Sequence, residues 1–143
     1  MSASVLDDLA SVLVAQNVGV LSTTIFLSSF AAIPAGMGAT LSLHETGGVA
    51  PTRVQNMRTP DTVRPTVQVL VRAGRIAGVQ EAWPAAFAMA QAAYTALDGI
   101  FNTTINGTFY LKIAARQEIT DMGVDATGNR VQLVFNLDIE RVF

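Results

Sequence analysis

The sequence predicts an α+β fold: a mixed or antiparallel sheet of about five strands with two helices packed on it. The expected order is helix, strand, strand, long loop, strand, helix, strand, strand. Three observations carry this. Apolar residues recur at helical spacing near the N-terminus and again beyond residue 82. Elsewhere they alternate with polar residues at the period of two that a half-buried strand requires. Of the 143 residues, 50% are hydrophobic and only 14% charged, so the chain reads as one domain, residues 1–143, with a single core, and disorder driven by charge excess is excluded.

Taking the elements in order, Ser4 and Asp7 mark a helix start, and Val5, Leu6, Leu9, Val12 and Leu13 share one face, which predicts a helix over 5–16. Ile25, Phe26 and Leu27 predict a short strand within 24–30, and Pro34, Gly36 and Gly38 a turn region after it. Ala39, Leu41 and Leu43 alternate with Thr40, Ser42 and His44, a half-buried strand ending near Glu45, where Gly47-Gly48 release the chain. Residues 46–65 hold Pro51, Pro60 and Pro65 without periodicity and predict a long loop, of the kind that is usually functional or disordered.

Val67, Val69 and Val71 alternate with Gln68, Leu70 and Arg72 and predict a strand. The next helix is rich in alanine and carries Trp83, Phe87, Tyr94 and Leu97 at helical spacing, a stripe read here as core. Pro84 belongs in its first turn, and Gly99 is its stop. Phe109, Leu111 and Ile113 predict a strand over 108–115, and Val131, Leu133, Phe135, Leu137 and Ile139 predict the last one. Gly123, Asp125 and Thr127-Gly128-Asn129 supply turn residues, so these two strands are expected to pair as a long-looped antiparallel hairpin. Sheet edges in a chain this poor in charge invite neighbouring subunits.

Composition removes much chemistry. There is no cysteine, hence no disulfide, iron–sulfur cluster, thiolate nucleophile or sulfur-ligated zinc. A net charge of -2 lacks the cationic field of a protein that coats nucleic acid. The uncharged stretch between Asp8 and His44 is interrupted by polar residues and Pro34 and is too broken to span a bilayer. Asp7 and Asp8 stand where a signal peptide has basic residues, so a soluble, unprocessed chain is expected. His44 beside Glu45 is the only pairing of base and acid, and no nucleophile motif accompanies it, so a surface or interface histidine is expected. Asp121, Asp125 and Asn129 lack the spacing of a calcium loop and read as a polar turn; the glycines of 36–38 and 47–48 lack a phosphate-binding pattern. No catalytic residue, cofactor or metal is predicted.

Arg53, Arg58, Arg64, Arg72 and Arg75 gather five of the nine basic residues into 23 positions. They read as a solvated loop or as an arm docking on an acidic neighbour, with contact to DNA in a channel ranking third.

Three segments together resemble a known family. They are Leu43-His44-Glu45-Thr46-Gly47-Gly48 with Pro51; Pro65-Thr66-Val67-Gln68-Val69-Leu70-Val71-Arg72 leading into a helix with Ala82, Ala86 and Leu97; and Gly123-Val124-Asp125 through Gly128-Asn129-Arg130 into Val134-Phe135-Asn136-Leu137. Their order and spacing resemble the E-x-G-G, P-x-V-Q-V-x-V-R and L-G-x-D-x-x-G-R…x-N pattern of the small tail terminator (tail completion) proteins of long-tailed bacteriophages, also described as minor capsid or neck proteins. Met122 before Gly123, Asn129 between Gly128 and Arg130, and Pro84 depart from the pattern. The resemblance implies a structural virion protein, assembled in the host cytoplasm and resident in the tail or neck. It would form a homo-hexameric ring that caps the tail tube, stops its polymerisation and meets the head connector. It makes Arg53, Arg58, Arg64, Arg72, Asp125 and Arg130 the expected contacts with neighbouring copies, tube or connector, with DNA passing in the lumen. The rival readings are a head-completion or connector protein of the phage neck and a small ligand-binding α+β domain.

Overall fold

The computed structural model describes residues 5–19, 25–27, 39–47, 49–52, 62–73, 82–124 and 131–142. It has the α+β fold the sequence predicts: helices α1 (Val5–Ala15) and α2 (Ala82–Leu97) lie against one sheet. The strands are β1 (Ile25–Leu27), β2 (Thr40–Glu45), β3 (Val49–Thr52), β4 (Thr62–Arg64), β5 (Thr66–Ala73), β6 (Ile100–Ile105), β7 (Thr108–Ala115), β8 (Thr120–Val124) and β9 (Val131–Val142). Nine strands join one sheet where about five were expected, and all pairings are antiparallel except β1 with β2.

The extra strands are mostly continuations of the predicted ones. β4 and β5 run along β9 in one register, Val63 opposite Arg141 and Thr66 opposite Asp138. Only Pro65 divides them: it has no N–H to give, but its carbonyl accepts from Ile139 N at 3.1 Å. β2 and β3 lie along β5 and β4 in turn, joined by Thr46 N donating to Thr66 O at 3.0 Å. The expected loop at 46–65 is therefore, in its described part, the end of a long hairpin. Prolines hid it, because Pro51 lies in β3, which is paired on one side only among the described residues, where a missing donor costs least. On the other side of β9, β7 pairs with its C-terminal half and β8 with its N-terminal half. The expected antiparallel pairing of 108–115 with the last strand is present. β8 and β6 were not foreseen, although Asn106-Gly107, with φ of 50° and 83°, is the two-residue turn that joins β6 to β7.

The core lies between helices and sheet. Leu41, Leu43, Val67, Val69, Val71, Leu133, Phe135, Leu137 and Ile139 face Leu9 and Leu13 of α1 and Ala86, Ala90, Ala93 and Leu97 of α2. Small side chains on α2 let its backbone approach the sheet, with Tyr94 edge-on to Phe135 at 5.2 Å. The expected aromatic core stripe is therefore corrected: Tyr94 and Leu97 pack on the core, whereas Trp83 (47% exposed) and Phe87 (38%) stack on each other outside it. α1 ends in a left-handed Asn17, with Val18 N bonded to Leu13 O and Asn17 N to Val14 O, a cap that turns Val18 back onto the core. α2 ends at Gly99 (φ 84°), whose N–H already pairs with Ile113 O of β7.

A register shift between Tyr110 and Lys112 breaks the expected face of Phe109, Leu111 and Ile113. Phe109 is left exposed and Tyr110 is fully buried. Its hydroxyl donates to Oδ2 of Asp8, a carboxylate with no solvent exposure on α1. Asn106 Nδ2 donates to Asp8 Oδ1 at 3.0 Å and to Ser11 Oγ at 2.9 Å. The β6–β7 turn is thus tied to α1 through one buried anion, which is tolerable because it is hydrogen-bonded.

Asp8→Ala removes the buried acceptor of both the Tyr110 hydroxyl and Asn106 Nδ2 and should lower the unfolding free energy by roughly 2–3 kcal/mol in a denaturant titration. The Tyr110 phenol is raised above its ordinary 10.0 by burial first and then by Asp8, against an opposing Arg141. A raised phenol keeps its full stabilisation below pH about 10 and loses it as pH rises further, so this contribution to the denaturation midpoint should be lost in alkali. Tyr110→Phe should shrink that slope to what Tyr94 contributes, a phenol also raised by desolvation, Asp98 and Glu118. At Gly107 a Cβ would meet nothing within 4 Å, so Gly107→Val tests backbone conformation alone and should cost about 1–2 kcal/mol.

Candidate functional site

The sheet face turned away from the core carries a charged row. Successive residues of a strand point to opposite faces, so when Val67, Val69 and Val71 face the helices, the even-numbered residues of β5 face away. Across β4, β9 and β7 this puts Arg64, Glu140 and Lys112 side by side: Glu140 is opposite Lys112, and Arg64 Nε lies 3.7 Å from Glu140 Oε1. One step along, Arg116 grips Asp138, with Nη2 to Oδ1 at 2.8 Å and Nε to Oδ1 at 3.1 Å. These side chains line a cleft of about 210 Å³ floored by Pro65, Thr66 and Ile139. Three cations face two carboxylates, so one positive charge is unmatched.

That charge is best assigned to Lys112. It is the only lysine of the chain, half-buried, and takes part in no ion pair among the described residues. Arg64 is also incompletely used, since its Nε is buried without a hydrogen-bond partner and Glu140 is too far for one. Phe101 of β6, opposite Lys112 and 57% exposed, adds an apolar neighbour. The cleft can hold one small anionic group; it has no nucleophile aligned with a base.

Of the residues singled out in the sequence, the structure brings Arg64 into this cleft. Arg72 lies on the same run eight residues away, opposite Thr40 and Gln132, which at about 3.3 Å per residue is roughly 26 Å off. Neighbours in sequence are therefore not neighbours in space. Arg53, Arg58, Arg75, Asp125 and Arg130 lie outside the described residues. His44 and Glu45 are consecutive on β2 and take opposite faces, His44 opposite Gln68 and Glu45 opposite Val67, so they form no dyad. Asp121 Oδ1 accepts from Gly123 N at 2.8 Å and shapes the β8 bulge. No group of three or more His, Asp or Glu side chains suited to a metal occurs among the described residues. Lys112, Arg116, Asp138 and Glu140 were missed because they are distant in sequence; Lys112 as the only lysine was the signal available.

The surface has a second unusual region. α2 carries no charged residue over its 16 positions. Its exposed side bears the Trp83–Phe87 stack, 4.9 Å between centroids, and an open groove lined by Gln16, Val18, Ala88, Gln91, Ala92, Thr95 and Ala96. No described helix is long and apolar enough to cross a membrane.

No protein-family model matches this chain, and no curated protein does. Among solved structures it is similar to a chain from the virion of a native gene transfer agent (GTA) particle, at 15% identity and a TM-score of 0.59, over 99% of this chain and 87% of that one. At that identity the likeness is one of fold.

The ion pairs of the cleft are exposed enough to be worth little to stability, the side chains of Arg116 and Asp138 being 53% and 37% exposed. Asp138→Asn and Lys112→Gln should each change the unfolding free energy by less than about 1 kcal/mol in denaturant titrations.

Proposed function

We propose that this chain is a structural subunit of a phage-like virion and acts as a tail terminator. Six copies form a ring on the head-proximal end of the tail tube, stop tube polymerisation and join the tail to the head connector. The observation that carries this reading is the fold likeness, over almost the whole chain, to a chain of a gene transfer agent virion. The motif resemblance to tail terminators gives the finer assignment.

The surface supports a life inside an assembly. A 16-residue helix with no charge and a stacked Trp–Phe pair outward is a poor surface for a free monomer. β6 has β7 as its only partner among the described residues, so one edge offers unpaired backbone. On this reading Arg53, Arg58, Arg64, Arg72, Asp125 and Arg130 contact neighbouring copies, tube or connector, with passing DNA a lesser partner. No cofactor or catalytic residue is assigned.

A cryo-electron-microscopy map of the native particle tests it. One six-copy ring of this chain at the head-proximal end of the tail tube is expected. A twelve-copy ring against the portal would move the chain to head completion, and absence from every particle would overturn the reading. Trp83→Ser with Phe87→Ser should leave a folded chain, because both rings are already outside the core, yet abolish ring formation in sedimentation and particle assembly.

A further inference from the structure

We propose that the cleft around Lys112 is a carboxylate-accepting site whose occupant is an acidic side chain, Glu45 or Glu118, of a second copy of this chain. The proposal rests on the reading of the chain as a self-assembling ring subunit, and it names the polar contact that fixes one copy on the next.

The cleft supplies the accepting half. Lys112 lines the cleft together with Arg64 and Arg116, and the two carboxylates of the cleft are already engaged: Asp138 by Arg116, and Glu140 by Arg64 at 3.7 Å. One added carboxylate neutralises the cleft and gives the Lys112 ammonium an acceptor. The size also suits a carboxylate, since about 210 Å³ admits a side-chain head and not a folded element.

The donating half is on the same chain. Glu45, at the end of β2, and Glu118, between β7 and β8, are exposed and belong to no ion pair among the described residues. Neither lines its own cleft. Glu118 lies beyond the end of β7 and outside the strands, and its charge acts on the Tyr94 phenol of α2. Glu45 pairs with Val67 and so lies about 14 Å across three strand intervals from the line of β7, on the opposite face of the sheet from Lys112. A free cation in a cleft and free carboxylates elsewhere on one surface are the two complementary parts of a head-to-tail contact. A nucleic-acid backbone fits less well. It would bring several phosphates onto Asp138 and Glu140 for one unmatched cation, against a chain of net charge -2.

Because Lys112 is the only lysine, reductive ¹³C-methylation, which keeps its charge, places one side-chain reporter in the cleft. The labelled N-terminal amine is told apart by titrating near pH 8. The labelled chain is titrated with unlabelled wild-type chain, with unlabelled Glu45→Gln and Glu118→Gln chains singly and together, and with a duplex oligonucleotide. The expected result is a salt-sensitive shift of the Lys112 signal with wild-type chain. The double variant should bind about tenfold more weakly, and one single variant should account for most of that loss. Mixing Lys112→Glu chain with the matching Glu→Lys chain should restore association that Lys112→Glu alone has lost.

An unmoved signal with wild-type chain, equal shifts with wild-type and double variant, or a shift with oligonucleotide alone would each overturn the proposal. The two readings fail separately. A six-copy ring in the particle map with Lys112 facing solvent would remove this contact and leave the ring standing. A salt-sensitive, Glu-dependent shift in a chain absent from every particle would do the reverse.

Discussion

Strand β9 is hydrogen-bonded along both edges, and the rest of the molecule is arranged by that requirement. Twelve residues of extended chain turn the N–H and C=O of alternate residues to one side and those of the residues between to the other, and a buried strand cannot leave them unmet. β4 and β5 cover one edge in a single register, and β7 and β8 cover the other. The helices then have only one face to occupy, the one lined by Leu133, Phe135, Leu137 and Ile139.

Length also creates the irregularities that matter. Matching two long edges requires breaks in the flanking runs: Pro65 on one side, and register shifts at Tyr110/Lys112 and Asp121/Gly123 on the other. The shift beside Tyr110 brings that phenol to Asp8 on α1 while Lys112 lies opposite Glu140 on β9. One bulge therefore links the anchoring of α1 to the charged cleft. The cleft is built where β4, β9 and β7 lie side by side.

The two faces of the molecule pose different problems to solvent. The sheet face away from the helices carries a charged cleft with partly exposed ion pairs, whereas the outer side of α2 has no charge and displays stacked aromatic rings. Apolar area supplies association energy without direction, and a few placed charges supply register and exclude wrong partners.

What the sequence determined by itself was local. Alternation in 39–45, 66–73 and 131–142 fixed strands and their inward faces, since a period of two admits no other half-buried solution, and Gly99 and the alanines of 82–97 fixed the second helix. The sequence misled where a side chain's fate depends on what the sheet places beside it. Trp83 and Phe87 have the spacing of a core stripe, yet the helix turns Ala86, Ala90 and Ala93 to the sheet and buries them instead. Pro51 and Pro65 read as loop, yet each is accommodated in a strand run that does not need its N–H. Of the cleft, the sequence singled out Arg64 alone, and the assembly of its residues could not be read there. Arg64, Lys112 and Glu140 become neighbours only because two antiparallel registers meet on β9, and register is a property of the sheet as a whole, decided by which alignment buries every inward side chain at once.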